Sequence, residues 1–392
     1  MARTTLFPNY RQFPVVFERG SGARLWDTDG REYVDFVAGI ASCNLGHCHP
    51  EVTAAIQDQA RRLVHVSNWY FSDRQLELAA RLTGLASLDR VFFCNSGAEA
   101  SEAAIKLARK RSYEKYGPDR NLVISFYGAF HGRTMKALTA TDPKHHMAAF
   151  SPYPEGFVHI QPGDLAALEK HLPLACALFL EPVQGEGGVH PFDPAFLKEA
   201  ARLCTEQDVP LMLDEVQTGM GRCGALFAYQ ALGIRPDVLT LAKALANGFP
   251  MGAVLAGGEL AAVMAPGSHG STFGGNALAC AAALATLDVL VREDLSSRAR
   301  TLGNRFRAAL EDLAGRHPVV KNIRGMGLLL GMELTVAAAP VVKDLLERGY
   351  LVTAVAERTL RFTPPLNIAE EDVDAFLQAL DEALAAQGGS PP

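Results

Sequence analysis

Between residues 90 and 257 short apolar runs recur, most of them separated by enough chain for a helix, and this rhythm constrains the fold more than any other feature. The runs are VFFC (91–94), LVISF (122–126), ALFL (177–180), PLML (210–213), VLTL (238–241) and AVLA (253–256), bounded by Gly, Pro, Asn or Asp. None alternates strictly between apolar and polar, which is the pattern of strands buried on both faces of a mainly parallel sheet. Helical patterns such as EAAIKLARKRSYEKY and AFLKEAARLCTEQ fill the gaps. The expectation is a layered α/β domain.

The two ends read differently. ARLWDTDGREYVDFV (23–37) carries a TDG turn between two alternating runs, a β-hairpin signal. Beyond residue 290 come a long helix pattern, GMGLLLGMEL, a second helix, RGYLVTAVAERTLRFTPP and a final helix, which together predict an α+β subdomain completed by the N-terminal hairpin. The expected division is an N-terminal segment of the small domain (1–45), a large domain (46–290) and the C-terminal small domain (291–392). The last residues, AAQGGSPP, read as a frayed end, and no internal repeat is found.

Composition narrows the class of partner. The chain has 392 residues, enough for two or three domains. Its net charge is −6, from 37 basic and 43 acidic side chains with no basic run, which argues against nucleic acid or an anionic membrane. MARTTLFPNYRQFPVV lacks the apolar core of a signal peptide. The richest apolar stretch, ALACAAALATLDVLV, is interrupted by Thr286 and Asp288. The seven cysteines are scattered and form no CxxC, which points to reduced thiols in the cytoplasm rather than to a disulfide framework or structural zinc.

Ligands of open α/β sheets sit beyond the carboxyl ends of the strands, so the residues that follow each run matter most. Lys243, in VLTLAKALANGFPMG, is the one ionisable side chain between Asp237 and Glu259. An ammonium taken out of water without a partner tends to lose its proton; a turn that brings it to the surface is the bland alternative. Asp214 follows PLML, 29 residues earlier and one strand–helix–strand step away, so adjacent strands would place both side chains on one rim. A turn acid or helix cap is the plain reading of such a carboxylate. After VFFC, Ser96 and Glu99 fit a capping box, and Gly97 permits close approach to outward-facing N–H groups at a helix start, a phosphate site. Phe130, His131 and Arg133 follow LVISF at a Gly-flanked bend.

A lysine, an acid and a phosphate cradle on one rim are what pyridoxal 5′-phosphate requires: an amine for its aldehyde, a carboxylate for its pyridine nitrogen and donors for its phosphate. The stretch LMLDEVQTGMGRCGALFAYQALGIRPDVLTLAKALANG resembles the signature of class III (ω-amino-acid) aminotransferases of fold type I. The likeness spans essentially the whole chain, through NLGHCHPEV, NSGAEASEAAIKLARK, FHGRT, EPVQGEGG, HGSTFGGNALA, RGMGLLLGMEL and LRFTPPLN. The resemblance implies that Lys243 is the Schiff-base lysine, that Asp214 pairs with the pyridine nitrogen and that Gln217 bonds the phenolic oxygen. It also implies that Ser96, Gly97 and Ala98 hold the phosphate and that Phe130 stacks on the ring. Thr272 would reach the phosphate of a neighbouring subunit, which would make a homodimer obligatory.

The same resemblance bears on substrates. Arg133 is similar to the family's distal-carboxylate reader and Arg361 to the reader of glutamate's α-carboxylate, both suited to the arginine fork. Glu186 corresponds to the gate that neutralises Arg361 while the amino donor is bound, and Tyr10 and Ser271 join the expected substrate contacts. VSNWYFSDRQLELA and FVAGIASCNLGHCHP most resemble the acetylornithine aminotransferases. Aliphatic Ile40, where ornithine aminotransferases usually carry an aromatic, favours an acylated donor; Tyr10 does not discriminate between the two groups. The implied reaction converts N2-acetylornithine and 2-oxoglutarate into N-acetylglutamate 5-semialdehyde and glutamate. Ornithine, succinylornithine and acylated or carrier-linked lysine remain alternatives.

Two rival chemistries have weaker footing. Gly219, Gly221 and Gly224 have the GxGxxG spacing of a nicotinamide dehydrogenase, but four residues separate Asp214 from the first glycine. His47, Cys48 and His49 in GHCHP suggest a metal, yet neighbours so close rarely converge on one ion. No metal is expected.

Overall fold

The computed structural model describes residues 5–388. Near its N-terminus, strands β1 (Phe17–Ser21), β2 (Arg24–Asp27) and β3 (Glu32–Asp35) form an antiparallel meander. Its TDG turn closes on Gly30, whose φ of +81° suits glycine, and the hairpin forms where the alternation placed it.

The central sheet contains β4 (Arg90–Cys94), β5 (Leu122–Phe126), β6 (Phe157–Ile160), β7 (Ala175–Leu180), β10 (Leu211–Asp214), β11 (Val238–Leu241) and β12 (Gly252–Ala256), in the order β4-β12-β11-β10-β7-β5-β6. A short ribbon, β8 (Val183–Gln184) and β9 (His190–Pro191), stands beside it. Strands β7, β10, β11 and β12 are buried along their whole length, because helices cover both faces. All six apolar runs form strands. Two features differ from the sequence reading. Edge strand β6 was not anticipated, and β12 runs antiparallel to both β11 and β4.

Parallel pairing sets the register that matters. Leu213 lies opposite Leu180 and Asp214 opposite Thr240, so β7, β10 and β11 end side by side. Their next residues, Glu181, Asp214 itself and the segment Ala242–Lys243, therefore share one rim. The amino end of antiparallel β12 reaches the same rim, since Gly252 pairs with Cys94.

Strands β13 (Val320–Met326), β14 (Leu329–Leu334), β16 (Thr353–Val355) and β17 (Thr359–Phe362) form the C-terminal sheet, ordered β13-β14-β17-β16. Strand β15 (Tyr350–Leu351) instead pairs with β3, Tyr350 opposite Val34, so the N-terminal hairpin does complete a sheet with the C-terminal segment. The helix Glu370–Gly388 continues through Ala385–Gly388, where fraying was expected; residues 389–392 lie outside the described part. Among the described residues no helix is long and apolar enough to cross a membrane. ALACAAALATLDVLV forms most of the helix Ala277–Arg292, packed on the helices Pro50–Arg62 and Asp73–Ala86.

Candidate active site

A cavity of about 380 Å³ opens at the rim where these strands end, within the size range of small-molecule sites. Ser96, Gly97, Ala98, Phe130, His131, Arg133, Glu181, Glu186, Asp214, Gln217 and Lys243 contribute to its wall. The structure thus brings most of the residues expected at the site around one space. Tyr10 does not line this cavity and is exposed, and Ser271 and Thr272 border neighbouring grooves instead.

Lys243 opens a 3-10 turn directly after β11, with φ of +44°, and points into the wall rather than outward to the surface. Burial pushes its ammonium down, the Glu186 carboxylate pulls it up and Arg361 pushes it down again; the balance stands at about 8. The neutral amine is then far more accessible near neutrality than for an ordinary lysine, at about a tenth of the population.

Asp214 is almost fully buried and saturated with donors. Its Oδ1 accepts from Val216 N–H at 3.0 Å and from the Thr240 hydroxyl at 3.1 Å, and its Oδ2 lies 2.7 Å from His131 Nδ1. The imidazole is stacked on Phe179, with ring centroids 4.0 Å apart, which fixes the carboxylate from behind. His131 was quoted in the sequence without a role; a ring one residue from Phe130 at the same bend was the available signal. Its Nε2 is buried with no partner among the described residues.

The helix Gly97–Tyr116 supplies the cradle. Ser96 caps it, its hydroxyl accepting from Glu99 N–H at 3.2 Å. The expected reciprocal bond lands one residue earlier, because the Glu99 carboxylate takes the Asn95 N–H at 2.5 Å. First-turn N–H groups have no acceptor within their own helix, which leaves those of Gly97 and Ala98 at the cavity with the positive end of the dipole. A Cβ on Gly97 would stand 2.9 Å from Val216, so only glycine lets the cradle close up.

Arg361, 2% exposed on β17, does not line the cavity itself but lies behind Glu186 and Gln217, meeting Glu186 at 2.5 Å and Gln217 Oε1 at 3.4 Å, both through Nη1. Burial pushes the Glu186 carboxyl up, but the charge and hydrogen bond of Arg361 outweigh it and hold the group below its ordinary value. Arg361 Nε is buried and unpartnered among the described residues, so part of the guanidinium fork is still available. Arg133 is exposed, with its guanidinium carbon 5.1 Å from the centre of the Phe130 ring.

The sequence reading also passed over Glu181. It follows ALFL as Asp214 follows PLML, so the same rule about strand ends would have found it. Burial and then the Asp214 charge push this carboxyl up to about 8.

The glycines of TGMGRCG serve packing. A Cβ on Gly219 would meet the Glu215 carbonyl at 2.8 Å, on Gly221 the Leu366 side chain at 2.9 Å and on Gly224 Arg300 at 2.9 Å. Between them, buried Arg222 donates to the carbonyls of Leu328 and Pro364 and to Asn44 Oδ1, tying the loop to both ends of the chain. In GHCHP, His47 lies 2.7 Å from Asp35, and Cys48 is exposed at a bend.

These features define a pyridoxal-phosphate-dependent transaminase site, and the chain belongs to the class III aminotransferases, whose family model matches residues 6–384. Acetylornithine aminotransferase from Gloeobacter violaceus is 48% identical over 379 residues, covering 96% of this chain and 94% of that protein. Among solved structures, ornithine aminotransferase from Toxoplasma gondii superposes with a TM-score of 0.94 at 40% identity, covering 98% of this chain and 93% of that one. Acetylornithine aminotransferase from Elizabethkingia anophelis gives 0.87 at 36% identity, with 97% and 96% covered.

The residues present fit the cofactor. The free first-turn N–H groups suit its phosphate, buried Asp214 its pyridine nitrogen, and Lys243, whose ammonium burial pushes down to about 8, its aldehyde.

Proposed function

We propose that this aminotransferase moves the terminal amine of N2-acetylornithine to 2-oxoglutarate, giving N-acetylglutamate 5-semialdehyde and glutamate, a step of arginine biosynthesis in the cytoplasm. The observation that carries this reading is the Glu186–Arg361 pair, whose Glu186 lines the same cavity as Lys243 and Arg133. A transaminase of this kind must hold two carboxylate arrangements in turn. With the pair closed, Arg361 is neutralised and the apolar chain of the donor lies beside it without facing a bare buried charge. When the dicarboxylate arrives, Glu186 gives up the guanidinium, and the unpartnered Nε adds a second donor to the fork.

Bound pyridoxal phosphate supplies an electron sink that weakens the bonds at the carbon carrying the amine. The chain's own residues do the rest. Gly97 and Ala98 would hold the phosphate through their N–H groups, Phe130 would cover the ring face, and Asp214, steadied by His131, would keep the ring nitrogen protonated. Gln217 bonds the phenolic oxygen. Lys243 Nζ, as a neutral amine, would take the proton from the donor's terminal carbon.

The enzyme acts as a homodimer with shared sites. Trp69, Tyr70 and Phe71 are exposed around a groove bordered by Ser271 and Thr272, with exposed Phe273 on the adjoining groove, an apolar surface of the sort that subunit contacts cover. Thr272, turned away from its own cavity, would then complete the phosphate site of the partner subunit.

Ornithine is the second reading, favoured by the close superposition on the Toxoplasma gondii ornithine aminotransferase. Turnover with 2-oxoglutarate decides between them: kcat/KM should be higher for N2-acetylornithine than for ornithine. The reverse order would replace the donor and leave the chemistry in place.

A further inference from the structure

We propose that Glu181 is a positioning residue of this site, a single carboxylate that anchors both the cofactor-stacking wall and the gate. The inference rests on the functional reading above. Glu181 is 5% exposed, follows β7 and stands beside Asp214 on the rim. Its Oε2 accepts from the N–H of Phe130 at 2.9 Å, and its Oε1 from the N–H of Gly185 at 3.3 Å.

These two donors belong to segments that do different work. Phe130 carries the ring expected against the cofactor, with Arg133 beside it. Gly185 immediately precedes Glu186. It is packed so closely that a Cβ there would lie 2.1 Å from Gln217 Oε1. A small shift of Gly185 therefore reaches Gln217, Glu186 and Arg361 together, while a shift of Phe130 reaches the opposite wall. One side chain sets the distance between the two.

No cation reaches this carboxylate within hydrogen-bonding distance among the described residues, and an apolar side chain would fill the space at lower cost in desolvation. The upward displacement of its proton affinity to about 8 reflects that cost. What an apolar residue lacks is a pair of acceptors pointing in two directions.

The test uses the full-length protein, wild type and Glu181→Gln, at about pH 9, where the side chain is a carboxylate with both oxygens free to accept. The amide keeps one acceptor but turns an N–H toward one of the two backbone donors. Three quantities are measured: the Kd of the cofactor-free protein for pyridoxal 5′-phosphate, the Kd of the holoenzyme for glutarate (an unreactive dicarboxylate) from the shift of the visible band, and the Tm of the cofactor-free protein. Both affinities should weaken, by about tenfold each, alongside a modest fall in Tm from the backbone donor left unpaired. Should the amide not fold, Glu181→Asp, which keeps both acceptors but withdraws them by one methylene, should weaken both ligands likewise. Unchanged affinities, weakening of one ligand alone, or a loss confined to Tm would each overturn the shared anchor. A wild-type protein that forms no visible band with the cofactor would overturn the functional reading, and this inference with it. A normal wild-type band beside an unaffected variant overturns the inference alone.

Discussion

Lys243 stands at φ of +44°, a left-handed conformation that costs a residue with a side chain about 1–3 kcal/mol and persists where the surroundings impose it. The strain accompanies an ammonium held at about 8 instead of 10.5. Burial favours the neutral form, so in the cofactor-free protein the cost of the charge is present below about pH 8 and fades as pH rises toward 10.5. Capture of pyridoxal phosphate by the cofactor-free protein needs the neutral amine. Its rate, followed by growth of visible absorbance, should therefore rise with a midpoint near 8. Glu186→Gln, which removes a charge that raises Lys243, should move that midpoint lower. A midpoint near 10.5, or one indifferent to Glu186, would contradict the electrostatic account of this wall. At this scale the sequence revealed Lys243 and Asp214 because each follows an apolar strand. The His131–Asp214 contact joins the loop after β5 to the end of β10, and no local pattern announces which nitrogen meets which oxygen. Tyr10 was placed by resemblance alone, and the chain by itself does not bring it to the cavity.

Among the elements, the ribbon β8–β9 decides where the gate stands. Its connecting segment contains Glu186 and Val189, and Val189 packs on Gly331 of β14, which lies opposite Arg361 of β17. A Cβ on Gly331 would come within 2.8 Å of the Val189 Cβ, leaving no room unless the ribbon moves. Gly331→Ala should therefore destabilise the protein by about 1–3 kcal/mol in urea unfolding, the usual range for overpacking. It should also tighten glutarate binding, because Glu186 withdrawing from Arg361 leaves the guanidinium free for a dicarboxylate. Wild-type stability together with wild-type glutarate affinity would show that the contact does not hold the ribbon. Doubly buried strands were legible as apolar runs, and the TDG hairpin as alternation around a turn. Edge strand β6, FVHI, has only one fully buried residue and a central histidine, so it lacks the apolar continuity that marks the others. The reversed direction of β12 left no trace either, since an apolar run reads alike both ways.

For the whole molecule, Trp69, Tyr70 and Phe71 are 91%, 72% and 82% exposed, and the Ser271–Thr272 stretch lies outside its own chain's cavity. A dimer with shared sites accounts for both. Co-expression of Lys243→Ala with Thr272→Ala, assayed at limiting cofactor, should yield hybrids that contain one fully wild-type site and exceed the activity of either parent mixture. Activity no higher than the average of the two parents would mean that Thr272 does not serve a partner. The central claim is that Lys243 holds pyridoxal phosphate and that N2-acetylornithine delivers its terminal amine there. The most direct measurement is the visible spectrum of the purified holoenzyme before and after N2-acetylornithine is added without any keto acid. The account predicts a band that bleaches on addition of the donor and returns with 2-oxoglutarate. A band that ignores N2-acetylornithine, or a protein that gains no band when supplied with the cofactor, would contradict it.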